Sequence, residues 1–375
     1  MQRRVFLQTL ALGASAAFLS RGVLADELAP SSEADGKKWF NMENQPIEGR
    51  AWLGEERRSP YDRFPTRWMD KATPAVQGNA THSAGMAVRF KTNADHIFIR
   101  YELTSVNLAM YHMPSTGVSG FDLYGRDSEG TFRFIQIAQK GAKAETEITA
   151  GLSGNVEREY LIYLPLYNGV KSLEVGVPSE NSFELIQHPK KPMLFYGTSI
   201  VHGGCASRPG MPHPALLARR LEMPHWNFGF SGSARMEIEL AEAFGELDPS
   251  VYILDCLPNM KPEWVKERFY NFVVKLRESR PDTPIVLVED RRFPSSWVDK
   301  EKSAFHDEQH RVHKAEYERL LKDGVKGLFY VEGDKLLPPD GNGTVDNSHP
   351  TDYGFIWQAN VMEPVLREAL GMEKA

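Results

Sequence analysis

Hydrophobic and polar positions fall into two rhythms along the chain. Between about Trp39 and Ile186 they alternate with a period of two. Ile97, Ile99, Tyr101 and Leu103 interleave with Phe98, Arg100 and Glu102, and Leu173, Val175 and Val177 repeat the pattern. "TFRFIQIAQ" (131–139) and "REYLIYLPLY" (158–167) are β-rich runs bounded by turn signals such as "SEG" and "NG". No long helical period interrupts them, so an antiparallel β-sandwich domain is expected over 38–186.

From about Pro189 short apolar runs alternate with amphipathic stretches. Strands are predicted at "MLFYG" (193–197), "HWNFG" (225–229), "VYILDC" (251–256), "PIVLVE" (284–289) and "GLFYVEG" (327–333). Helices are predicted at 213–221, 234–244, 263–279, 308–324 and 351–370, where apolar residues return with helical spacing. Such alternation implies a parallel sheet with helices on both faces, here over 190–372, with ligands bound beyond the carboxyl ends of the strands. "QHPKKP" (187–192) is the linker between the two textures.

The first residues follow neither rhythm. "MQRRVFLQTLALGASAAFLSRGVLADE" has a basic start, an apolar middle and small Ala25 after Val23-Leu24. It reads as an export signal over 1–25, and Arg3-Arg4-Val5-Phe6-Leu7 resembles the twin-arginine signature, which implies a periplasmic or secreted product. The alternative is a membrane anchor, but the apolar stretch is short and broken by Gly13, Ser15 and Ser20, so no stable membrane insertion is expected once the leader is cleaved.

Composition narrows the classes. With 41% hydrophobic and 25% charged residues the chain has enough apolar material for real cores. The formal charge of −6 becomes −9 when Arg3, Arg4 and Arg21 leave with the leader, so the basic footprint of nucleic-acid binding is missing and no such partner is expected. Cys205 and Cys256 are either one disulfide or two buried free thiols; they offer no CxxC spacing for zinc or redox work.

Candidate chemistry gathers at predicted strand ends. Ser199 follows the first strand of the second region in "YGTSIVHGG". A lone serine there is more readily read as a helix cap, and Val201 breaks the G-x-S-x-G elbow. Gly229 and Gly232 follow the second strand in "NFGFSGSAR", and Asn259 follows the third in "LDCLPNM". In "DNSHP", Asp346 stands three residues before His349, a spacing that lets a carboxylate hold an imidazole in one tautomer.

The order G-x-S, N-x-G-x-S-G, P-N and D-x-x-H over about 191–370 resembles the SGNH, or GDSL-type, hydrolases. Gly120-Phe121-Asp122-Leu123-Tyr124 matches the GxDLY motif that names the N-terminal sandwich of one bacterial branch. The resemblance implies a flavodoxin-like three-layer catalytic domain after the sandwich. It implies Ser199 as nucleophile, His349 as base and Asp346 as its partner. It also implies an oxyanion hole from the Ser199 N–H, the Gly232 N–H and the Asn259 amide. Thr198 stands where the name motif has Asp, a position outside the triad. The resemblance requires no metal and no cofactor.

The expected activity is an exported serine esterase working through an acyl-enzyme, with an O-acetylated carbohydrate as substrate. The alternatives are a lipid esterase, lysophospholipase or thioesterase of the same fold, acyl transfer to a sugar, or a non-catalytic glycan-binding protein. Weaker features get plainer readings. Arg208 either contacts substrate or anchors its loop. His202 lacks a preceding carboxylate and is not preferred as base. His306, His310 and His313 share a helix face that reads as solvated rather than metal-binding. Tyr124 and Trp226 read as core, Asp122 as structural and Asp255 as a brace for its turn.

Overall fold

The period-two runs pair into two antiparallel sheets. A computed structural model of the chain describes residues 28–149, 151–152 and 156–373; the expected leader at 1–25 lies outside them. The sandwich strands are β1 (Ser32–Ala34), β2 (Lys37–Asn41), β3 (Ala87–Thr92), β4 (Ile97–Leu103), β5 (Phe121–Arg126), β6 (Phe132–Ala138), β7 (Lys143–Thr149), β8 (Arg158–Tyr163), β9 (Val170–Pro178) and β10 (Glu184–Leu185). One sheet has the order β1-β2-β9-β4-β7 and the other β10-β3-β8-β5-β6. The inward residues of both, among them Ile97, Ile99, Val175, Phe90, Phe121 and Ile162, form a single apolar core, as expected for facing pleated sheets. The run predicted to reach Tyr167 leaves the sheet at Tyr163.

Short helices α1 (Thr66–Met69), α2 (Pro74–Ala80) and α3 (Ser115–Ser119) interrupt the strands. α1 and α2 lie in the stretch 51–80, which joins a different core. Trp52, Phe64, Trp68, Met69 and Val76 pack among residues of the second half, including Phe228, Phe230 and Phe244. Arg63, fully buried, donates to the carbonyls of Asn227 at 2.9 Å and Gly229 at 2.8 Å.

In the second half the strands are β11 (Met193–Gly197), β12 (His225–Gly229), β13 (Val251–Asp255), β14 (Ile285–Val288) and β15 (Leu328–Val331). They pair in parallel in the order β12-β11-β13-β14-β15. Both faces of β11, β13 and β14 are covered, which explains why these strands read as near-continuous apolar runs. Leu194, Tyr196, Tyr252, Leu254 and Leu287 face α6 (Ile238–Glu246), α7 (Pro262–Ser279) and α8 (Lys300–Lys322). Met193, Phe195, Val251, Ile253 and Val286 face α4 (Ser199–His202), α5 (His213–Arg220) and α9 (Asp352–Ala369). This is the flavodoxin-like three-layer arrangement, and β11 sits where the strand order reverses.

Two helix starts differ from the sequence reading by more than two residues. α6 begins at Ile238 rather than Ala234, because Ala234 (φ 61°) and Met236 (φ 55°) take left-handed backbone that no helix accepts. α8 begins at Lys300, eight residues early, where the Asp299 side chain accepts from the Lys302 N–H at 3.0 Å and caps the first turn. Among the described residues no helix is long and apolar enough to cross a membrane.

Candidate active site

Parallel register sets the site. Gly197 of β11 lies level with Gly229 of β12 and with Asp255 of β13, so three adjacent strands release their chains at one rim. A side chain at Gly229 would collide with the backbone of His202, 2.1 Å from an added Cβ, so glycine lets β12 press against α4. Thr198 caps α4 through its side chain, and Ser199 becomes its first residue. The Ser199 carbonyl accepts from Gly204 N–H at 2.7 Å and from the Tyr167 hydroxyl at 3.2 Å, so the sandwich half also holds this turn.

The structure brings Ser199, His349 and Asp346 into one hydrogen-bonded run. Ser199 Oγ lies 2.8 Å from His349 Nε2, and His349 Nδ1 lies 2.8 Å from Asp346 Oδ2. The geometry fits an Nδ1–H donating to the carboxylate and leaving Nε2 to accept from the hydroxyl. The other carboxylate oxygen accepts backbone N–H groups of His349 (2.8 Å) and Ser348 (3.2 Å). Burial pushes the Asp346 carboxyl up, but its bonds to the His349 backbone and ring win, and it sits below the ordinary carboxylate value. The loop is closed by a bridge between Thr344 and Pro350, and Asn347 fixes it sideways to Ser295.

Gly232 and Asn259 follow the neighbouring strand ends. Gly232 is exposed with a left-handed backbone (φ 67°), a conformation that turns its peptide at no side-chain cost. The Asn259 amide donates to the Ser233 carbonyl, which ties the two loops together. Arg208 is turned to the sandwich: its Nη1 donates to Asp122 at 2.8 Å and to the Tyr124 hydroxyl, and its guanidinium lies 3.9 Å from the Phe134 ring centroid. That geometry fits the anchoring alternative rather than substrate contact. Asp122 also accepts from Gly210 N–H at 2.9 Å, so the GxDLY strand grips the glycine loop twice.

Other candidates lie elsewhere. His202 is fully buried, stacked on Tyr167 at 4.1 Å and bonded to the Leu166 carbonyl at 2.7 Å; burial holds it neutral, with its pKa well below the ordinary value. Asp255 is buried against Arg291 at 2.9 Å. Cys205 and Cys256 are buried free thiols, not joined in a disulfide. The solvated reading of His306, His310 and His313 is corrected: all three are buried. They occupy the inner face of α8 while Asp307, Glu308 and Arg311 take the outer one. They bond to the Lys302 carbonyl, the Asp290 carbonyl and the Tyr330 hydroxyl in turn.

Sequence reasoning missed Tyr167, His112 and the neighbourhood of Cys205. His112 comes from the sandwich and meets the His349 ring edge-on at 5.8 Å. Cys205 stands near Asp346, and burial together with that charge pushes its thiol up to about 12. A lone histidine in the strandless stretch 104–114 and a cysteine inside a glycine loop were the available signals.

Residues 190–367 match the model of the GDSL-like lipase/acylhydrolase family, and 37–183 match a model described as the N-terminus of SGNH-hydrolase-type esterases. A Bacteroides ovatus protein assigned as a GDSL-like lipase is 31% identical, with a TM-score of 0.84 over 90% of this chain and 99% of its own. A salicylyl-acyltransferase from a tetracycline biosynthetic pathway is 19% identical, with a TM-score of 0.73 over 90% and 99%. An acetyl xylan esterase from the rumen bacterium Butyrivibrio proteoclasticus is 12% identical, with a TM-score of 0.58 over 89% and 99%. No curated protein matches the chain.

Proposed function

The chain belongs to the GDSL-like lipase/acylhydrolase family, and from that premise we propose that it is an exported serine esterase that removes acetyl groups from O-acylated carbohydrate. The single observation that carries the chemistry is the hydrogen-bonded run from Asp346 through His349 to Ser199.

In this reading His349 takes the Ser199 proton as the hydroxyl attacks the ester carbonyl, and Asp346 stabilises the imidazolium that results. Charge collects on the carbonyl oxygen. The first N–H of α4 has no partner within the helix, so the Ser199 N–H would receive that oxygen, with the Gly232 N–H and the Asn259 amide. His349 then returns its proton to the leaving alcohol. Water, activated by the same ring, releases the acid and restores Ser199.

Two exposed aromatic rings support the carbohydrate part. Tyr111 is 96% exposed and packs on His112, which touches the His349 ring. Trp297 is 87% exposed and ends the turn that Ser295 ties to Asn347. Large bare rings beside a catalytic loop suit the apolar faces of sugars. The shared fold with an acetyl xylan esterase supports the same direction. The twin-arginine-like leader supports export.

Acetate release from a panel of acetylated polysaccharides, with Ser199→Ala as the blank, tests the reading. p-Nitrophenyl esters from acetate to palmitate set the acyl length, and a steep preference for long chains would overturn the acetyl assignment. Replacing Arg3-Arg4 by two lysines should trap the protein in the cytoplasm.

A further inference from the structure

The mechanism leaves two groups beside the triad without a task. Cys205 is buried and free, and its left-handed backbone (φ 71°) is a cost for any residue but glycine. His112 arrives from the other half of the molecule, and its Nδ1 is shielded from solvent without a hydrogen-bond partner. Both converge on the loop that carries Asp346 and His349. Ligand-capable atoms of His112, Cys205, Asp346 and His349 all lie within 4.8 Å of one another.

A thiolate, two imidazoles and a carboxylate make up a donor set suited to a borderline-soft divalent ion and unsuited to magnesium or calcium. Metal–ligand distances of about 2.0–2.3 Å in a tetrahedron put ligand atoms roughly 3.3–3.8 Å apart. The present separations, at most 4.8 Å, exceed that span by about 1 Å. We propose that these four side chains bind a divalent cation of the zinc class, and that the bound ion silences Ser199.

The chemistry balances without an oxidant. The Cys205 thiol releases its proton to solvent and its sulfur bonds to the ion. Asp346 exchanges its imidazole contact for the ion. His349 spends a ring nitrogen on the ion and loses the geometry that accepts the Ser199 proton. A chelator reverses every step. His112 belongs to the sandwich and the other three to the α/β half, so the ion also joins the two halves at the site.

The silencing half of the proposal rests on the serine-esterase reading; the binding half does not. Binding is therefore measured first on the full chain carrying Ser199→Ala, by competition for Zn²⁺ against a chromogenic chelator. One ion per chain is expected. Cys205→Ser and His112→Gln, each added to that chain, should weaken binding by about ten-fold or more. In the active enzyme Zn²⁺ should stop p-nitrophenyl acetate hydrolysis over the same concentration range, a chelator should restore it, and Mg²⁺ should do nothing. The two variants should turn over normally and resist Zn²⁺. Absence of binding, binding unchanged in both variants, equal inhibition by Mg²⁺, or binding with undiminished hydrolysis would each overturn the proposal. A chain without any esterase activity would refute the esterase reading while the chelator competition still decides the site.

Discussion

Arg208, in the loop after Ser199, donates to Asp122 of the sandwich at 2.8 Å across 86 positions of sequence. The Asp122 side chain is wholly buried, and it also receives the Gly210 N–H. The loop that shapes the site is thus fixed by a strand of the other half. Asp122→Ala should lower kcat on p-nitrophenyl acetate by about 10–100-fold with little change in KM, the scale expected from a misplacement near 1 Å. Arg208→Ala should do the same, and the double variant should be no worse than either single one. Unchanged kcat in Asp122→Ala would show that the loop holds itself.

Loss of a member of the hydrogen-bonded run should separate by role. Ser199→Ala and His349→Ala should each lower kcat by at least ~10⁴-fold, and Asp346→Asn by roughly 10³–10⁴-fold. Pre-steady-state measurement of acyl-enzyme formation checks this. A Ser199→Ala protein that still shows a burst would remove the serine from the mechanism.

Asn259→Ala should cost about 10²–10³ in kcat and leave KM nearly unchanged, because the amide serves charge that exists only in the transition state. A change confined to KM would make Asn259 a substrate-binding residue instead.

The exposed rings give a test by substrate size. Tyr111→Ala and Trp297→Ala should each raise KM for an acetylated polysaccharide several-fold, about 1 kcal/mol of lost stacking. Hydrolysis of p-nitrophenyl acetate, which is too small to reach them, should not change. Equal losses on both substrates would point to distortion of the 346–349 loop.

Glu246 links α6 to the stretch 51–80 through Arg67, Trp68 and Trp52. The Arg67 bond, reinforced by both indole N–H groups, holds its carboxyl down to about 2. A folded-state value below the unfolded one gives stability that is complete above about pH 4.5 and lost as pH falls toward 2. The group is partly exposed, so solvent screening reduces the effect to roughly 1 kcal/mol. Urea unfolding of Glu246→Gln should show that deficit at pH 7 and little of it at pH 2.5. A deficit that is equal at both values would assign the effect to packing.

The periodicity of the strands was legible because each buries one face or two. The single-faced runs around Ile97–Leu103 alternate, and the double-faced runs such as Val251–Leu254 are apolar throughout. Ser199, Asp346 and His349 were legible because each stands at a strand or helix boundary, where side chains reach the rim. The inner face of α8 was misread, since a helix of this charge hides its histidines as readily as it shows them. Contacts that cross between halves were not legible at all. Tyr167 on Ser199, His112 on His349 and Arg63 on the end of β12 depend on how two cores are laid together, and no local pattern encodes that.

The stretch 51–80 also bears on how this architecture can be rearranged. Its tryptophans and phenylalanine cover a flank of the parallel sheet's helices while its ends run back into the sandwich. A gene cut at the linker would strip that cover and leave a greasy wound on the catalytic piece. The hydrolase half is therefore no interchangeable cassette: shuffling it onto another carrier would require the donor to bring along thirty residues from the far side of the cut.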